Sequence, residues 1–448
     1  MTELGPEAEN GAGTERAGTA GAGAGRAGTA VRRGLVSRRL LLGAAGGAVL
    51  AAGCKPDGDS RGAHSAGETE SGRRGGGSGG GPSGVLGANF NEDPKGVTFS
   101  ALEGVRAGWL RGFVPMPEVK EAGDAAEQRA IRTLLEAHDR GYGTVLSLKF
   151  PFQKEPIPTP GSRQMDAQLA LVDRVLKVVL DKVDVLAIGN EPFLETREQD
   201  RGPKLNAFYE HVAKHVIAYR KNHSGARSAT RLYMGALNHL DKPGGRTSAT
   251  DRWMSFARET LEIEGVDIHP HVASPDGVRK YLDYVVPRLR HDQTFLVTEF
   301  SLVQLWKQHM TDSVPARFAR RYHLPTDTPV WKVLNDAAEH PFSARKWQDF
   351  LSMAPWFESH KHFVRNQMQR FRNTGRLAVA TYGVVQGAAM VRGIDAKKTP
   401  WLLNSAYASR TVEHTDRELP RNYTVFDDFR DVQRAQDRRP VRLAKTST

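Results

Sequence analysis

The chain has 448 residues, 39% of them apolar, enough for one large core, and a formal charge of +12 concentrated after residue 300. It has a single cysteine, Cys54, so the residues beyond it hold together without an internal disulfide. No Lys/Arg run is interleaved with aromatic residues, which excludes an obvious nucleic-acid groove; arginine-rich solvated helix faces account for the charge.

Residues 1–36 are Gly, Ala, Thr and Glu-rich and cannot bury enough apolar surface to fold. Ser37-Arg38-Arg39 then opens an apolar stretch, Leu40 to Ala52, too short to be a comfortable membrane-spanning helix. The paired arginines resemble a twin-arginine export signal. Ala51-Ala52-Gly53-Cys54 resembles a lipobox, which implies lipidation of Cys54, although Leu50 stands one place earlier than the preferred leucine. Residues 1–54 thus read as leader and signal. Residues 55–83 include Gly75-Gly76-Gly77-Ser78-Gly79-Gly80-Gly81 and read as a flexible tether with a reach of roughly 30 Å.

From residue 84 to 448 short apolar runs alternate with helical patterns. Strands are expected at Val85–Phe90, Gly108–Val114, Thr144–Phe150, Val183–Ile188, Leu232–Leu237, Val266–His271, Phe295–Phe300 and Leu377–Val384. The clearest helices between them are Asp124–Arg140, Met165–Leu180, Lys204–Arg220, Thr250–Ile263 and Pro275–Leu289. Eight strand–helix units predict a closed α/β (β/α)₈ barrel. The open doubly wound alternative lacks its glycine-rich phosphate turn after the first strand. A long helical insertion, residues 301–376, follows the seventh strand and holds Trp306, Trp331, Trp347 and Trp356, of which one or two are expected to reach a cleft.

Glu191 follows the fourth strand, in Gly189-Asn190-Glu191-Pro192, and Glu299 closes the seventh. Both carboxylates then face the same C-terminal mouth, where barrel chemistry sits. In this the chain resembles clan A of the glycoside hydrolases, retaining barrel glycosidases with Asn-Glu on strand four and Glu on strand seven. The resemblance covers residues 84 to about 410. It implies hydrolysis of β-glycosidic bonds in a poly- or oligosaccharide by double displacement, with Glu191 as general acid/base, its pKa raised, and Glu299 as nucleophile. It also implies Asn190 on the sugar 2-hydroxyl and Arg111, closing strand two, beside Glu299. His269 and His271 stand in Asp267-Ile268-His269-Pro270-His271, and alternation puts the acid and both histidines on one face. The family's tyrosine is replaced here by His271, and its tryptophan platform after strand eight by Tyr382 or Trp401. Trp306 is a further candidate for stacking on sugar. Asn89, Asn91, Glu92, Lys149, Asn238 and His239 are polar residues placed for hydroxyl binding.

No cofactor is implied, and the expected partner is a carbohydrate, with membrane contact only through a lipid on Cys54 and a monomeric chain. Two other readings stay open: a metal-dependent hydrolase using His269 and His271 with His239 and Glu299, and a lipid-anchored barrel that binds glycans without turnover.

Overall fold

The computed structural model describes residues 83–90, 98–224, 228–415 and 419–434. Arg38, Arg39, Cys54, the glycine-rich tether, Asn91 and Glu92 lie outside the described residues. The chain divides into two units, Met1–Gly79 and Gly80–Thr448, and every described residue belongs to the second.

Eight strands form one closed parallel barrel in sequence order: β1 (Val85–Asn89), β2 (Trp109–Pro115), β3 (Gly143–Lys149), β4 (Val185–Ile188), β5 (Arg231–Leu237), β6 (Ile263–Ile268), β7 (Thr294–Val297) and β8 (Leu377–Gly383). Closure comes from β1 pairing with β8, Val85 opposite Val379 and Asn89 opposite Gly383. The main core lies between sheet and helices and takes in Leu86, Leu110, Leu146, Leu148, Leu186 and Ile188 from the outward faces of the strands. A second apolar group, Val145, Val185, Tyr233, Leu296, Ala378 and Val379, fills the barrel interior, the two consecutive β8 residues falling where the β7–β8 register shifts. Two residues further along β3 the same face carries Ser147, so the interior turns from apolar to polar toward the C-terminal mouth.

Register explains which residues share a level. Asn89, the last residue of β1, pairs with Arg111, the third residue of β2, and Arg111 pairs with Val145, again the third residue of its strand. The stagger of a barrel thus lowers Arg111 into the interior; it sits in mid-strand rather than at the strand's close.

Helices start where their caps are. Ser162 accepts from the Met165 amide to open Arg163–Val179, and Thr247 with Thr250 forms a capping box for Ser248–Glu259. At its other end the latter helix stops at Glu259, earlier than expected, with the Thr260 amide donating to the Phe256 carbonyl, and Ile263 opens β6 instead of closing the helix. Strands β6 and β7 are also shorter than expected at their ends. Pro270 has no amide to give a ladder, so the chain leaves the sheet after Ile268, and His269, His271 and Glu299 ride on the turns above the barrel.

The crossover from β7 to β8 holds helices Val303–Gln308, Ala316–Arg321, Val330–Glu339, Ala344–Met353, Pro355–Glu358 and Phe363–Asn373. Among the described residues no helix is long and apolar enough to cross a membrane.

Candidate active site

The turn after β4 is built on two glycines. Gly189 has φ +105°, which favours glycine, and a Cβ on Gly235 of β5 would stand 2.4 Å from the Gly189 carbonyl oxygen. With β5 packed that close, the Ala236 amide donates to the Asn190 carbonyl at 3.0 Å. The amides of Leu194 and Glu195 both donate to the Glu191 carbonyl at 2.9 Å, opening the short helix Pro192–Glu195. Glu191 and Asn190 are therefore held by backbone on both sides.

Arg111 is fully buried and joins three strand ends. Its Nη1 donates to Glu299 Oε1 at 2.5 Å and to Asn89 Oδ1 at 3.3 Å, while Nη2 donates to Asn190 Oδ1 at 2.5 Å and to Ser147 Oγ at 3.3 Å. The segment before Glu299 is pinned from below: the Thr298 amide donates to Asp267 at 3.0 Å, the Thr298 hydroxyl donates to the other Asp267 oxygen, and Thr381 donates to the Thr298 carbonyl. On its other side Glu299 meets His271 Nε2 at 3.5 Å, and His271 Nδ1 lies 2.7 Å from Ser301 Oγ. Burial alone would raise the Glu299 pKa, but the charges of His269, Arg111 and His271 prevail and hold this carboxyl well below the usual range.

Glu191 accepts two hydrogen bonds on one oxygen: Oε1 takes Asn238 Nδ2 at 2.7 Å and His269 Nδ1 at 3.0 Å. The second His269 nitrogen, Nε2, is 2.8 Å from Thr298 Oγ1, whose own proton goes to Asp267; Nε2 must therefore be the donor there. Both ring nitrogens carry protons whenever Glu191 is ionised. Burial opposes that charge, yet Glu299 and Asp267 overcome it and push the His269 pKa up to about 10. For Glu191 the expected upward shift is not found. Burial pushes it up, but the hydrogen bond and charge of His269 outweigh burial and the repulsion of Glu299, so its pKa falls. The pair holds its proton on the histidine side.

Of this network Glu191 and Glu299 keep 19% and 15% of their side-chain exposure and His271 12%, whereas Arg111 and His269 keep none, so a ligand meets the two carboxylates and His271. Ligand atoms of Glu191, His269, His271 and Glu299 all lie within 4.8 Å of one another. His239 is outside this group, half-buried in a left-handed backbone position with φ +56°. The four atoms suit a metal poorly: His269 spends both nitrogens on hydrogen bonds, and the Arg111 cation already neutralises Glu299.

Trp401, at the start of a short 3-10 turn after β8, stands edge-to-face to His271 with centroids 4.9 Å apart and is half-buried, in position to line the mouth. Two expected ligand-facing aromatics are elsewhere. Tyr382 is buried against Phe300, centroids 5.1 Å apart, because its neighbour Thr381 takes the inward face of β8. Trp306 is buried against Phe357 inside the insertion, where Trp347 is also buried, its indole nitrogen donating to Asn422. Both are packing residues, and neither offers a face to sugar. Asn89 and Asn238 join the network; Lys149 stands 3.9 Å from Glu195. Ser147, Thr298, Ser301 and Glu195 contribute contacts that the sequence reading did not single out. A polar residue two places from an interior apolar one, as Ser147 is from Val145, was the available signal.

No family model matches the sequence, and no curated protein matches it. Among solved structures, an endoxylanase described as GH10, from a sugarcane soil metagenome, is 12% identical with a TM-score of 0.46 over 78% of this chain and 97% of its own. An endo-1,4-beta-xylanase from Penicillium canescens is 11% identical, TM-score 0.45, over 80% and 95%. A beta-glucosidase from Exiguobacterium marinum is 8% identical, TM-score 0.43, over 80% and 98%. Likenesses this distant carry no weight for chemistry; the parallel eight-stranded barrel stands on its own strand pairing.

Proposed function

We propose that the chain is a retaining glycoside hydrolase that cleaves β-glycosidic bonds of a poly- or oligosaccharide. The observation that carries this is the pair of carboxylates at the mouth, with an oxygen of Glu191 and one of Glu299 within 4.8 Å of each other. Double displacement requires carboxyl groups about 5–5.5 Å apart, whereas inversion leaves about 6.5–9.5 Å for a water molecule. Glu299, kept ionised by Arg111, attacks the anomeric carbon as the bond to the leaving oxygen breaks. Glu191 protonates that oxygen. Because Oε1 is tied to Asn238 and His269, Oε2 is the oxygen left to face the leaving group. The form ready for this step carries the acid proton on Oε2, taken up from solvent, while Oε1 goes on accepting from Asn238 and His269. Glu191 then takes a proton from water, which displaces the sugar from Glu299. Asn190 serves the 2-hydroxyl and Trp401 a sugar face.

The test is incubation with 2,4-dinitrophenyl 2-deoxy-2-fluoro-β-glycosides and peptide mass spectrometry, since the fluorine lets a covalent intermediate accumulate. A label on Glu299 and loss of turnover in Glu299→Gln are expected. Full activity in that variant, or tight sugar binding without turnover in the unaltered chain, would overturn the reading. We also infer export by the twin-arginine route with a lipid on Cys54, resting on Arg38-Arg39 and Ala51-Ala52-Gly53-Cys54; Cys54→Ser should release the protein from membranes.

A further inference from the structure

Behind Asn190 lies a carboxyl that the reaction as written does not use. Glu195 is 2% exposed, at the end of the short helix that follows Glu191. Its Oε1 accepts from Asn190 Nδ2 at 2.8 Å, and the Lys149 ammonium of β3 stands 3.9 Å away. Its Oε2 is buried and has no hydrogen-bond partner, and the Tyr209 hydroxyl, on helix Pro203–Ser224 and near enough to sense the charge of Glu195, is buried without a partner too.

The orientation of Asn190 follows from its two neighbours. Arg111 can only donate, so it must face Oδ1, and the amide nitrogen must then face Glu195, which must accept. One amide hydrogen remains for a ligand. Since Oε1 of Glu195 is committed as acceptor, a proton on this carboxyl has to reside on Oε2. A buried carboxylate oxygen with no donor is costly when charged.

We propose that Glu195 is a positioning residue that orients the Asn190 amide toward the sugar 2-hydroxyl, and that protonation at its Oε2 sets how firmly the chain from Asn190 through Arg111 to Glu299 is held. This rests on the glycosidase reading for its consequence in catalysis, not for the contact itself. The groups that face Glu195 are Lys149, which favours its ionised form, Glu191 on its own turn, which opposes it, and Tyr209. Burial is the largest influence, and the balance brings the Glu195 pKa to about 7. The contact therefore changes character across neutral pH.

Two measurements on the whole protein test this. In the first, asparagine is labelled with ¹⁵N and the Asn190 side-chain amide, identified by its loss in Asn190→Ser, is followed between pH 5 and 9. A titration near pH 7 that disappears in Glu195→Gln is expected; no titration, or one that survives the substitution, overturns the proposal. In the second, Glu195→Leu, which has no acceptor, is compared with Glu195→Gln on aryl glycosides with and without a 2-hydroxyl. Misplacement of a binding group is expected to cost about 10–100-fold in kcat with the 2-hydroxy substrate, and far less with its 2-deoxy counterpart. Glu195→Gln should flatten the step near pH 7 in kcat/KM. Equal losses on both substrates would mean that Glu195 only fills space. If no glycoside is turned over by the unaltered protein, the glycosidase reading fails, and the amide titration still decides whether Glu195 governs Asn190.

Discussion

Replacing Arg111 by methionine should damage stability and the charge state of Glu299 together, in a way that depends on pH. The guanidinium is fully buried and its Nη1 is 2.5 Å from Glu299 Oε1. With charge centres about 4 Å apart and an effective dielectric of about 20, the attraction is about 4 kcal/mol, or about 3 pK units. His271 and His269 still face the carboxylate in the variant, so a rise of about 1–3 units is expected in the Glu299 pKa. Removing one partner of a buried pair typically costs about 3–5 kcal/mol. The sign of the pH dependence follows from the direction of the shift. Glu299 is depressed in the folded state, so its contribution is present above the unfolded carboxylate pKa and is lost as pH falls through the lower folded value. The stability gap between the unaltered protein and Arg111→Met should therefore be widest at pH 6–7 and narrow below pH 4. Urea unfolding at several pH values measures the gap, and the acidic limb of kcat/KM should move upward in parallel. A gap that stays constant down to pH 3, or an unmoved limb, would refute the claim that Arg111 acts by holding Glu299 ionised.

His269→Gln should show the opposite pH dependence. The folded pKa of His269 is raised to about 10, so its stabilisation is complete below about pH 6.5 and fades as pH rises toward 10; urea midpoints at pH 6 and pH 9.5 compare the two regimes. Trp401→Ala should raise KM about 2–10-fold through loss of a stacking face with little change in melting temperature. By contrast, Trp306→Ala should cost about 3–5 kcal/mol of stability and leave KM alone, as melting curves and steady-state kinetics on both variants would show. Gly235→Ala places a Cβ against the Gly189 carbonyl and should push the Glu191 turn outward, lowering kcat/KM by about 100-fold in a protein that still folds by circular dichroism.

The strands were legible because each is a short apolar run with polar or glycine punctuation, and the order in which such runs alternate with helices is enough to close a parallel barrel. The two glutamates and both histidines were legible for the same reason: a polar residue just past an apolar run belongs to the mouth. What was hidden depends on the inward or outward choice at each strand and on who meets whom across the barrel. Tyr382 was readable in principle, since Thr381 and Tyr382 must face opposite ways and a hydroxyl that reaches the Thr298 carbonyl claims the inside. Trp306 gave no such sign, because an amphipathic helix in an insertion buries its tryptophan as readily as it shows it. Glu195 lay in Pro192-Phe193-Leu194-Glu195, where nothing local separates a buried acid from a solvated one.

Arg111 carries the more general lesson about how a staggered barrel assembles a site. Expected at the close of strand two, it is instead the third residue of β2, well short of the strand's end. Around the barrel, however, each strand is shifted relative to the last, so Asn89 at the end of β1, Arg111 within β2 and Ser147 in β3 converge on one interior level. The apolar layer beneath, from Val145 to Val379, backs that level, and pairing of both terminal guanidinium nitrogens offsets the cost of burial, with Arg111 Nε left as the buried nitrogen without a partner. The guanidinium gives two hydrogen bonds from each terminal nitrogen, and Asp267 takes both the amide and the hydroxyl of Thr298. A lower tier of this kind leaves Glu191 and Glu299 as the two carboxylates of the network that retain access to the mouth, with His271 beside them. Their separation is then set by turns pinned to this tier, Glu191 through the Asn190 backbone and side chain and Glu299 through Thr298 and Arg111, which is what a reaction needing two carboxylates at a fixed distance demands.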